Sequence, residues 1–367
     1  MTGPVEPPAG APARPTINDI ARLAGVSKAS VSYALNDLPG VSEQTRERIR
    51  AAAGRLGWRP SAAARSLSNA RAGAIGLAIA RDVRLFEEEP YYMRLLAGIE
   101  SVLAREGFSL LLSVVPDAAT AVEVLRDWWA ERRVDGVILT DLLVDDPRLA
   151  LVTALGIPCA FRGGIDDRLP AGGHLALTLE AEREAFSAVV AHLAEQGHRD
   201  VARVSGPREF LHTRRRDVVW GEVTTAVFGA PQPVLVSDYT SQGGLARTRE
   251  LLARAVPPTA VVYDNDVMAA AVVAERRALG LRIPEDLAVV AGEDSMLCRL
   301  ASPAITSLQR DVVADGARSA RLLLDVLGGH PSTATVGEPR RLVVRASSQG
   351  SGETGLTPPG GSSSARR

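Results

Sequence analysis

Residues 16–36 read TINDIARLAGVSKASVSYALN, and the pattern predicts two short helices with a tight turn between them. Thr16 can cap the N-terminus of a helix, and a helix commonly ends at a glycine such as Gly25. Ser27 can cap a second helix directly after this turn, and Ser42 can cap a third. Two helices joined by a glycine-containing turn, with a third helix to close the core, predict a helix-turn-helix.

The second of these helices has an outer side without acids. At about 100° per residue, its inner side comprises Ser30, Val31, Ala34 and Leu35. The outer side comprises Lys28, which is the only lysine of the chain, Ala29, Ser32 and Tyr33. These groups can bond to guanine or phosphate and touch a thymine methyl. A helix that only faces solvent usually carries acid–base pairs, but no acid lies between Asp19 and Asp37, so the pattern favours DNA contact.

Positive charge is concentrated at the same end of the chain. Residues 14–71 contain 10 Lys/Arg and 4 Asp/Glu, a net charge of +6, whereas the whole chain has −1 and its remainder therefore −7. A basic end on an acidic chain points to a polyanion such as nucleic acid. The 367 residues suffice for two or three domains, and 46% hydrophobic residues are ordinary for a globular protein.

The motifs give no support to an enzyme, a metalloprotein or a secreted protein. Cys159 and Cys298 are too few for a disulfide framework and have no metal-ligand spacing. The sequence contains no P-loop, G-x-G-x-x-G or G-x-S-x-G motif, and its 5 histidines are scattered. The first residues lack the apolar core of a signal peptide, and no long apolar run occurs. We therefore expect a cytoplasmic protein without catalytic residues, cofactor, metal or membrane contact.

From Gly73 onward, short apolar runs alternate with amphipathic stretches of helix length. This alternation implies an α/β core of parallel sheets with helices on both faces. The number of strands suits two doubly wound sheets, with a ligand bound in the cleft between them. The predicted strands are 74–80, 109–115, 134–140, 158–162, 174–179, 201–205, 233–237, 259–264, 287–291 and 305–309.

The run from TINDIARLAGVSKASVSYALN through RPSAAARSL to AIGLAIA resembles the lactose-repressor (LacI/GalR) family of bacterial transcription regulators. The resemblance has no gap in this region and continues more loosely to about residue 345. It implies a homodimeric repressor that binds a near-palindromic double-stranded operator and responds to a small effector, such as a sugar or nucleoside. It also implies a core with the fold of periplasmic binding proteins.

The resemblance divides the chain into segments, with crossings between two core subdomains near Arg162, Gly292 and Leu324. The Pro/Ala-rich and Gly/Ser/Pro-rich ends have compositions typical of disordered tails. The predicted segments are a tail at 1–14, the helix-turn-helix at 15–59, a hinge at 60–72, an N-subdomain at 73–161 plus 292–323, a C-subdomain at 162–291 plus 324–347, and a tail at 348–367.

Roles in DNA binding follow from the same resemblance. It implies base reading by Lys28, Ala29 and Tyr33. The implied phosphate contacts are Ser27, Ser30, Ser32 and Asn36. The other implied DNA-contacting residues are Thr16, Arg59, Ser61, Ala64 and Leu67. Leu67 matches the leucine that enters the minor groove at the centre of the operator and kinks the duplex.

Effector contacts are implied in both subdomains. The N-subdomain residues are Tyr91, Tyr92, Thr140 and Arg162. The C-subdomain residues are Arg216, which would grip the effector, Tyr239, which would be an aromatic platform, and Asn265 and Glu293, which would hold hydroxyls. Glu293 stands where the family usually has an aspartate, and Gly292 replaces an aromatic residue, so the resemblance leaves the effector open.

The resemblance also leaves open whether the effector releases or promotes DNA binding, and whether the protein is a dimer or a tetramer. The alternative function is that of a sugar-binding protein with the same core and no DNA target. Such a protein would need a secretory signal and would have no use for a helix-turn-helix.

Overall fold

The computed structural model describes residues 15–58, 71–81, 89–162, 174–179, 181–330 and 334–349. The chain divides into two compact units, residues 1–72 and residues 73–367. The first is helical in its described part, and the second consists of two sheets with helices. No helix in these described stretches is long and apolar enough to cross a lipid bilayer.

The predicted helix-turn-helix is confirmed. The helices are α1 (Ile17–Ala24), α2 (Lys28–Leu35) and α3 (Glu43–Arg55). They start at the three predicted caps, and α1 ends where Gly25 adopts a left-handed conformation with φ of 65°. Such a φ is open to glycine because it has no Cβ.

The small core of the first unit draws on all three helices. Ile20 of α1, Val31 and Ala34 of α2, and Ile49 of α3 are completely buried. The burial of Val31 and Ala34 fixes the inner side of α2 as the sequence predicts. Consequently the opposite side of α2 is presented outward.

The second unit continues the chain from β1 to β12. Its helices are α4 (Pro90–Leu103), α5 (Ala118–Ala130), α6 (Pro147–Leu155), α7 (Glu182–Glu195), α8 (Leu211–Phe228), α9 (Ser241–Leu252), α10 (Asp266–Ala274), α11 (Met296–Leu300) and α12 (Val312–Leu327). Its strands are β1 (Ala74–Ala80), β2 (Ser109–Val115), β3 (Gly136–Leu139), β4 (Cys159–Arg162), β5 (Leu175–Leu179), β6 (Val201–Ser205), β7 (Val234–Val236), β8 (Ala260–Tyr263), β9 (Ala288–Ala291), β10 (Thr306–Gln309), β11 (Ala334–Val336) and β12 (Arg341–Val343).

The twelve strands form two six-stranded sheets. The first has the order β11-β5-β4-β3-β1-β2, and the second has the order β12-β10-β9-β8-β6-β7. All pairings are parallel except that of β10 with β12. The ten predicted strands are present, and among the described residues two further strands, β11 and β12 of three residues each, were not predicted. The predicted pair of doubly wound sheets is confirmed.

The predicted crossings near Arg162, Gly292 and Leu324 are wrong. Strand β5 still pairs with β4 of the first sheet, and β10 still pairs with β9 of the second. Leu324 lies inside α12, which packs on the first sheet and is followed by β11 of that same sheet. An apolar run does not specify which sheet it will join, because the partner strand is chosen by tertiary packing.

The crossings therefore follow β5, β10 and β11. We call the part built on the first sheet the first lobe; its described residues are 73–81, 89–162, 174–179, 312–330 and 334–336. The part built on the second sheet is the second lobe, residues 182–309 and 341–349.

Helices α4 and α12 of the first lobe approach at backbone distance because each has a glycine at the contact. A Cβ on Gly98 would lie 2.0 Å from the carbonyl oxygen of Val313. A Cβ on Gly316 would lie 2.3 Å from the carbonyl oxygen of Leu95. Neither contact leaves room for a side chain, so these positions require glycine for packing rather than for backbone conformation.

Candidate functional site

The outer side of α2 is the first candidate site. Lys28, Ala29 and Tyr33 are exposed, and Ser32 is half-buried beside them. Tyr33 keeps 45% of its surface exposed. The predicted base-reading side chains thus share one accessible surface.

The ends of α2 are stabilised by its own polar residues. The Ser27 Oγ accepts a hydrogen bond of 3.1 Å from the Ser30 backbone N–H. The Asn36 Nδ2 donates to the Ser32 carbonyl at 3.0 Å. These residues are exposed or half-buried, so their remaining donors can reach a phosphate.

The acid that follows α2 is neutralised by α3. The Asp37 carboxylate accepts from the Arg46 Nη1 at 3.0 Å and from the Arg50 Nη2 at 2.7 Å. This arrangement holds the loop after α2 against α3 and removes a negative charge that would repel phosphate. The surface therefore keeps its positive character.

The remaining predicted DNA contacts divide into two groups. Thr16 is exposed, but both its backbone N–H and its hydroxyl donate to the Asp19 carboxylate, at 2.9 and 2.7 Å. These bonds lower the pKa of Asp19, the Thr16 backbone N–H first. The other four predicted contacts lie outside the described residues: Arg59, Ser61, Ala64 and Leu67.

The second candidate site is a cleft between the two lobes. It lies at the carboxyl ends of strands from both sheets, where ligands bind in α/β folds. It is lined by Arg81, Glu89, Tyr91, Tyr92, Asp141, His212, Arg216, Tyr239, Asp264, Asn265, Asp266, Glu293 and Arg310. Six of these were predicted from the sequence: Tyr91, Tyr92, Arg216, Tyr239, Asn265 and Glu293.

Arg81, Tyr92 and Asp141 form the first-lobe wall of the cleft. The Arg81 Nε donates to the Tyr92 hydroxyl at 2.8 Å, and this hydroxyl donates to the Asp141 carboxylate at 2.5 Å. Arg81 also forms an ion pair with Asp141 at 3.4 Å. Burial by itself would raise the pKa of Asp141, but Arg81, together with His212 and Tyr92, outweighs burial and lowers this pKa to about 2.

Arg81 connects the two lobes. Its guanidinium lies 4.4 Å from the ring centroid of Phe210 and 5.3 Å from that of Tyr239, both on the second lobe. A guanidinium over aromatic rings at such distances is attracted by their electron-rich faces. The Tyr239 hydroxyl is held in turn by the His212 Nε2 at 2.9 Å.

On the second lobe, Arg216 shares a carboxylate with a second arginine. Its Nε donates to the Glu182 Oε1 at 2.8 Å, and Arg340 pairs with the other oxygen of Glu182. Glu182 is 2% exposed. Both arginines thus form ion pairs with Glu182, and this pairing holds Arg216 at the wall of the cleft.

Asn265 and Glu293 bring further polar atoms to the cleft. The Asn265 Nδ2 donates to Glu89 at 3.1 Å, across the cleft, and to the Tyr239 carbonyl at 2.9 Å. Glu293 forms an ion pair with Arg310 at 2.6 Å, and the Arg310 guanidinium lies 5.0 Å from the centroid of the Tyr91 ring.

Two predicted effector residues, Thr140 and Arg162, are not in the lining of this cleft. Thr140 is 2% exposed, directly after β3. Arg162 forms an ion pair of 3.1 Å with Asp315 and lines a smaller neighbouring cavity with Thr178. Arg162 is the last residue of β4, and the chain continues into β5 of the same sheet.

The sequence reading missed seven lining residues, and four of them carried a usable signal. Arg81, Asp141, Asp264 and Arg310 directly follow β1, β3, β8 and β10 or lie within two residues of their ends. Charged residues at the carboxyl ends of parallel strands are expected at a ligand cleft. The other three had no such signal: Glu89, His212 and Asp266.

Within the described part of the chain, no group of three or more His, Cys, Asp and Glu residues could hold a metal ion. Cys159 and Cys298 are buried and free, and burial raises the pKa of both thiols. Neither behaves as a reactive thiolate.

Comparison with protein families gives two matches along the chain. Residues 16–61 match the model of bacterial regulatory proteins of the lacI family. Residues 190–348 match a periplasmic binding protein-like domain. The first match covers α1 to α3, and the second covers most of the second lobe and part of the first.

Individual relatives match over nearly the whole chain. The transcriptional regulator CelR of Thermobifida fusca is 32% identical over 336 residues, which cover 90% of this chain and 96% of CelR. A solved CelR–cellobiose complex has a TM-score of 0.69 at 30% identity, covering 91% of this chain and 100% of that chain. The lac repressor dimer bound to operator and the anti-inducer ONPF has a TM-score of 0.79 at 25% identity, covering 92% of this chain and 100% of that chain.

These relatives share with the chain both the helix-turn-helix and the two-lobed core. Relatives of this kind are transcriptional regulators rather than enzymes. The chain therefore belongs to the LacI family of bacterial regulatory proteins and is a DNA-binding transcriptional regulator.

Proposed function

We propose that this regulator is a homodimeric repressor whose affinity for a near-palindromic operator is controlled by a sugar or nucleoside bound in the cleft. The observation that carries this proposal is the cleft itself, which is lined by polar and aromatic side chains from both lobes. The solved relative that contains cellobiose supports a sugar as the effector class.

The cleft can transmit a signal because direct contacts already join its two walls. Arg81 stacks on second-lobe rings, and the Arg94 Nη1 donates to the Asp294 carbonyl of the second lobe at 3.2 Å. A ligand that touches both lobes shifts their arrangement by its difference in affinity for the open and closed forms. A coupling of about 1–3 kcal/mol to operator binding is typical of such systems.

A patch of exposed apolar side chains supports the homodimer. We call Met296, Leu297 and Leu300 of α11 the apolar patch. Leu300 is 76% exposed and Met296 is 63% exposed. Contiguous exposed apolar side chains of this kind mark protein–protein contacts. A second copy of the chain is the partner that a near-palindromic operator requires.

Replacing Arg216 by alanine tests the cleft. We expect Arg216→Ala to bind the effector about 10- to 100-fold more weakly, since a charged hydrogen bond contributes about 1.5–3 kcal/mol. Operator binding without effector should stay within about a factor of two, because Arg340 keeps Glu182 neutralised. The measurement is operator release by the sugar or nucleoside that most stabilises the parent against heat.

The control for this experiment is Arg183→Ala. Arg183 is an exposed arginine of α7 whose partner is Glu222. The control should respond to the effector like the parent. If Arg216→Ala also responds at the parent's effector concentration, the cleft assignment is wrong and the signal enters elsewhere.

The outer side of α2 is proposed to read bases through Lys28 and Tyr33. Lys28→Ala and Tyr33→Ala should change which base pairs are preferred, at about 1–3 kcal/mol for each lost base contact. Binding to a library of operator variants measures this preference. Arg22→Ala, an exposed change on α1, should leave the preference unchanged. Identical profiles for all three variants and the parent would exclude α2 as the recognition helix.

A further inference from the structure

We propose that the effector carries a protonated amino group, as an amino sugar does, and that Glu89 and Asp266 bind this group. The inference rests on the proposed function, because it names the chemical class of ligand for the same cleft. It follows from an account of the charges that line the cleft.

Every arginine of the cleft lining already has a carboxylate partner. Arg81 pairs with Asp141. Arg216 pairs with Glu182, and Arg310 pairs with Glu293. Asp264, a further carboxylate of the lining, pairs with Arg203 at 2.6 Å behind the cleft wall. Each lining arginine thus has an ion-pair partner other than Glu89 and Asp266.

Two carboxylates of the lining remain without an ion-pair partner among the residues that the structure describes. Glu89 is 8% exposed, and its carboxylate accepts one hydrogen bond, from the neutral Asn265 amide. Asp266 is 4% exposed, at the start of α10, where the Ser295 hydroxyl and the first backbone N–H groups of the helix partly offset the effect of burial on its pKa. Neutral donors orient these carboxylates, but they do not compensate a full buried charge.

The acids among the charged groups around Glu89 increase the cost of burying its negative charge. The charged groups that face it are Arg81 from the end of β1, Asp141 from the end of β3, and Asp266 from α10. Burial, with the two acids, raises the pKa of Glu89 to about 7, although Arg81 and Asn265 act in the opposite direction. Burial and the nearby Glu293 likewise raise the pKa of Asp266.

An ammonium group in the cleft would compensate the negative charge of both carboxylates. A buried carboxylate gains most from an opposite charge that also donates hydrogen bonds. A neutral hydroxyl can donate one hydrogen bond to Glu89 but leaves its charge uncompensated. The cleft should therefore prefer an aminated sugar over a hydroxylated sugar of the same skeleton.

Matched sugar pairs test this preference on the full-length parent protein by calorimetry at neutral pH. The pairs are glucose with glucosamine, and cellobiose with the β-1,4-linked dimer of glucosamine. We expect the aminated member of at least one pair to bind about tenfold more tightly or better than its neutral counterpart. It should also control operator binding at a correspondingly lower concentration.

Glu89→Gln then removes the charge while keeping the size of the side chain. It should weaken the aminated sugar about tenfold or more and leave the neutral sugar within about a factor of two. Glu100→Gln is the matched control, since Glu100 is exposed on α4 of the same lobe, and it should change neither affinity.

The outcomes separate this inference from the proposed function. If in both pairs the neutral sugar binds as tightly as its aminated counterpart, the amino-group inference is wrong, and the sugar-controlled repressor stands. If Glu89→Gln weakens both members equally, the carboxylate is not an ammonium site. Should no sugar of either kind bind the parent, both the inference and the sugar effector fail.

Discussion

Replacing Leu300 by glutamate is expected to convert the protein to a monomer and to lower its operator affinity by about 100-fold or more. Leu300 is the most exposed side chain of the apolar patch, at 76%, and Met296 lies on the same helix. In a two-fold dimer both copies bring the substituted residue to the interface, so two carboxylates would be buried there without partners. A monomer also loses the gain from binding two half-sites at once.

The measurement is the molecular mass in solution by light scattering, followed by titration of a two-half-site operator. The matched control is Val227→Glu, on α8 of the same lobe, where the side chain is 46% exposed. The control should remain dimeric and bind the operator like the parent. A dimeric Leu300→Glu would show that the apolar patch is not the contact between copies.

Replacing Gly98 by alanine should destabilise the core by about 3 kcal/mol or more. The new methyl carbon would lie 2.0 Å from the carbonyl oxygen of Val313, so α4 and α12 would have to separate. A backbone atom cannot rotate away as the end of a flexible side chain can. Urea unfolding of the purified protein, followed by circular dichroism, measures the expected shift of the midpoint.

Gly221→Ala is the matched control for this substitution. Gly221 also lies inside a helix, α8, but nothing lies within 4 Å of its added Cβ. Alanine should there leave stability unchanged or raise it by up to about 1 kcal/mol, because it restricts the unfolded chain. Equal stability of Gly98→Ala and the parent would mean that the two helices do not pack this closely.

The helices of the first unit were predictable because their signals are local. Each N-cap lies within one turn of the helix start that it caps; these residues are Thr16, Ser27 and Ser42. Gly25 adopts the conformation that ends α1. The outer side of α2 follows from helical periodicity alone. No distant contact was needed to derive these elements.

The cleft was predictable only in part. Asn265 and Glu293 each lie two residues after the end of a strand, and a strand end can be recognised from the sequence. His212 lies on α8 and reaches the cleft by bonding to Tyr239 of another element. Glu89 meets Asn265 across 176 positions of the chain, and such a pair leaves no mark in a local pattern.

The sequence by itself thus determined the helix-turn-helix, the ten predicted strands and the two-sheet core, since caps, periodicity and apolar runs act over a few residues. Only the tertiary structure decided that β5, β10 and β11 precede the crossings, because strand pairing selects the sheet. It also decided that Arg162 pairs with Asp315, and that Arg81 lines the cleft and stacks on the Phe210 ring of the other lobe. The physical reason is that ion pairs and burial depend on residues brought together from distant parts of the chain.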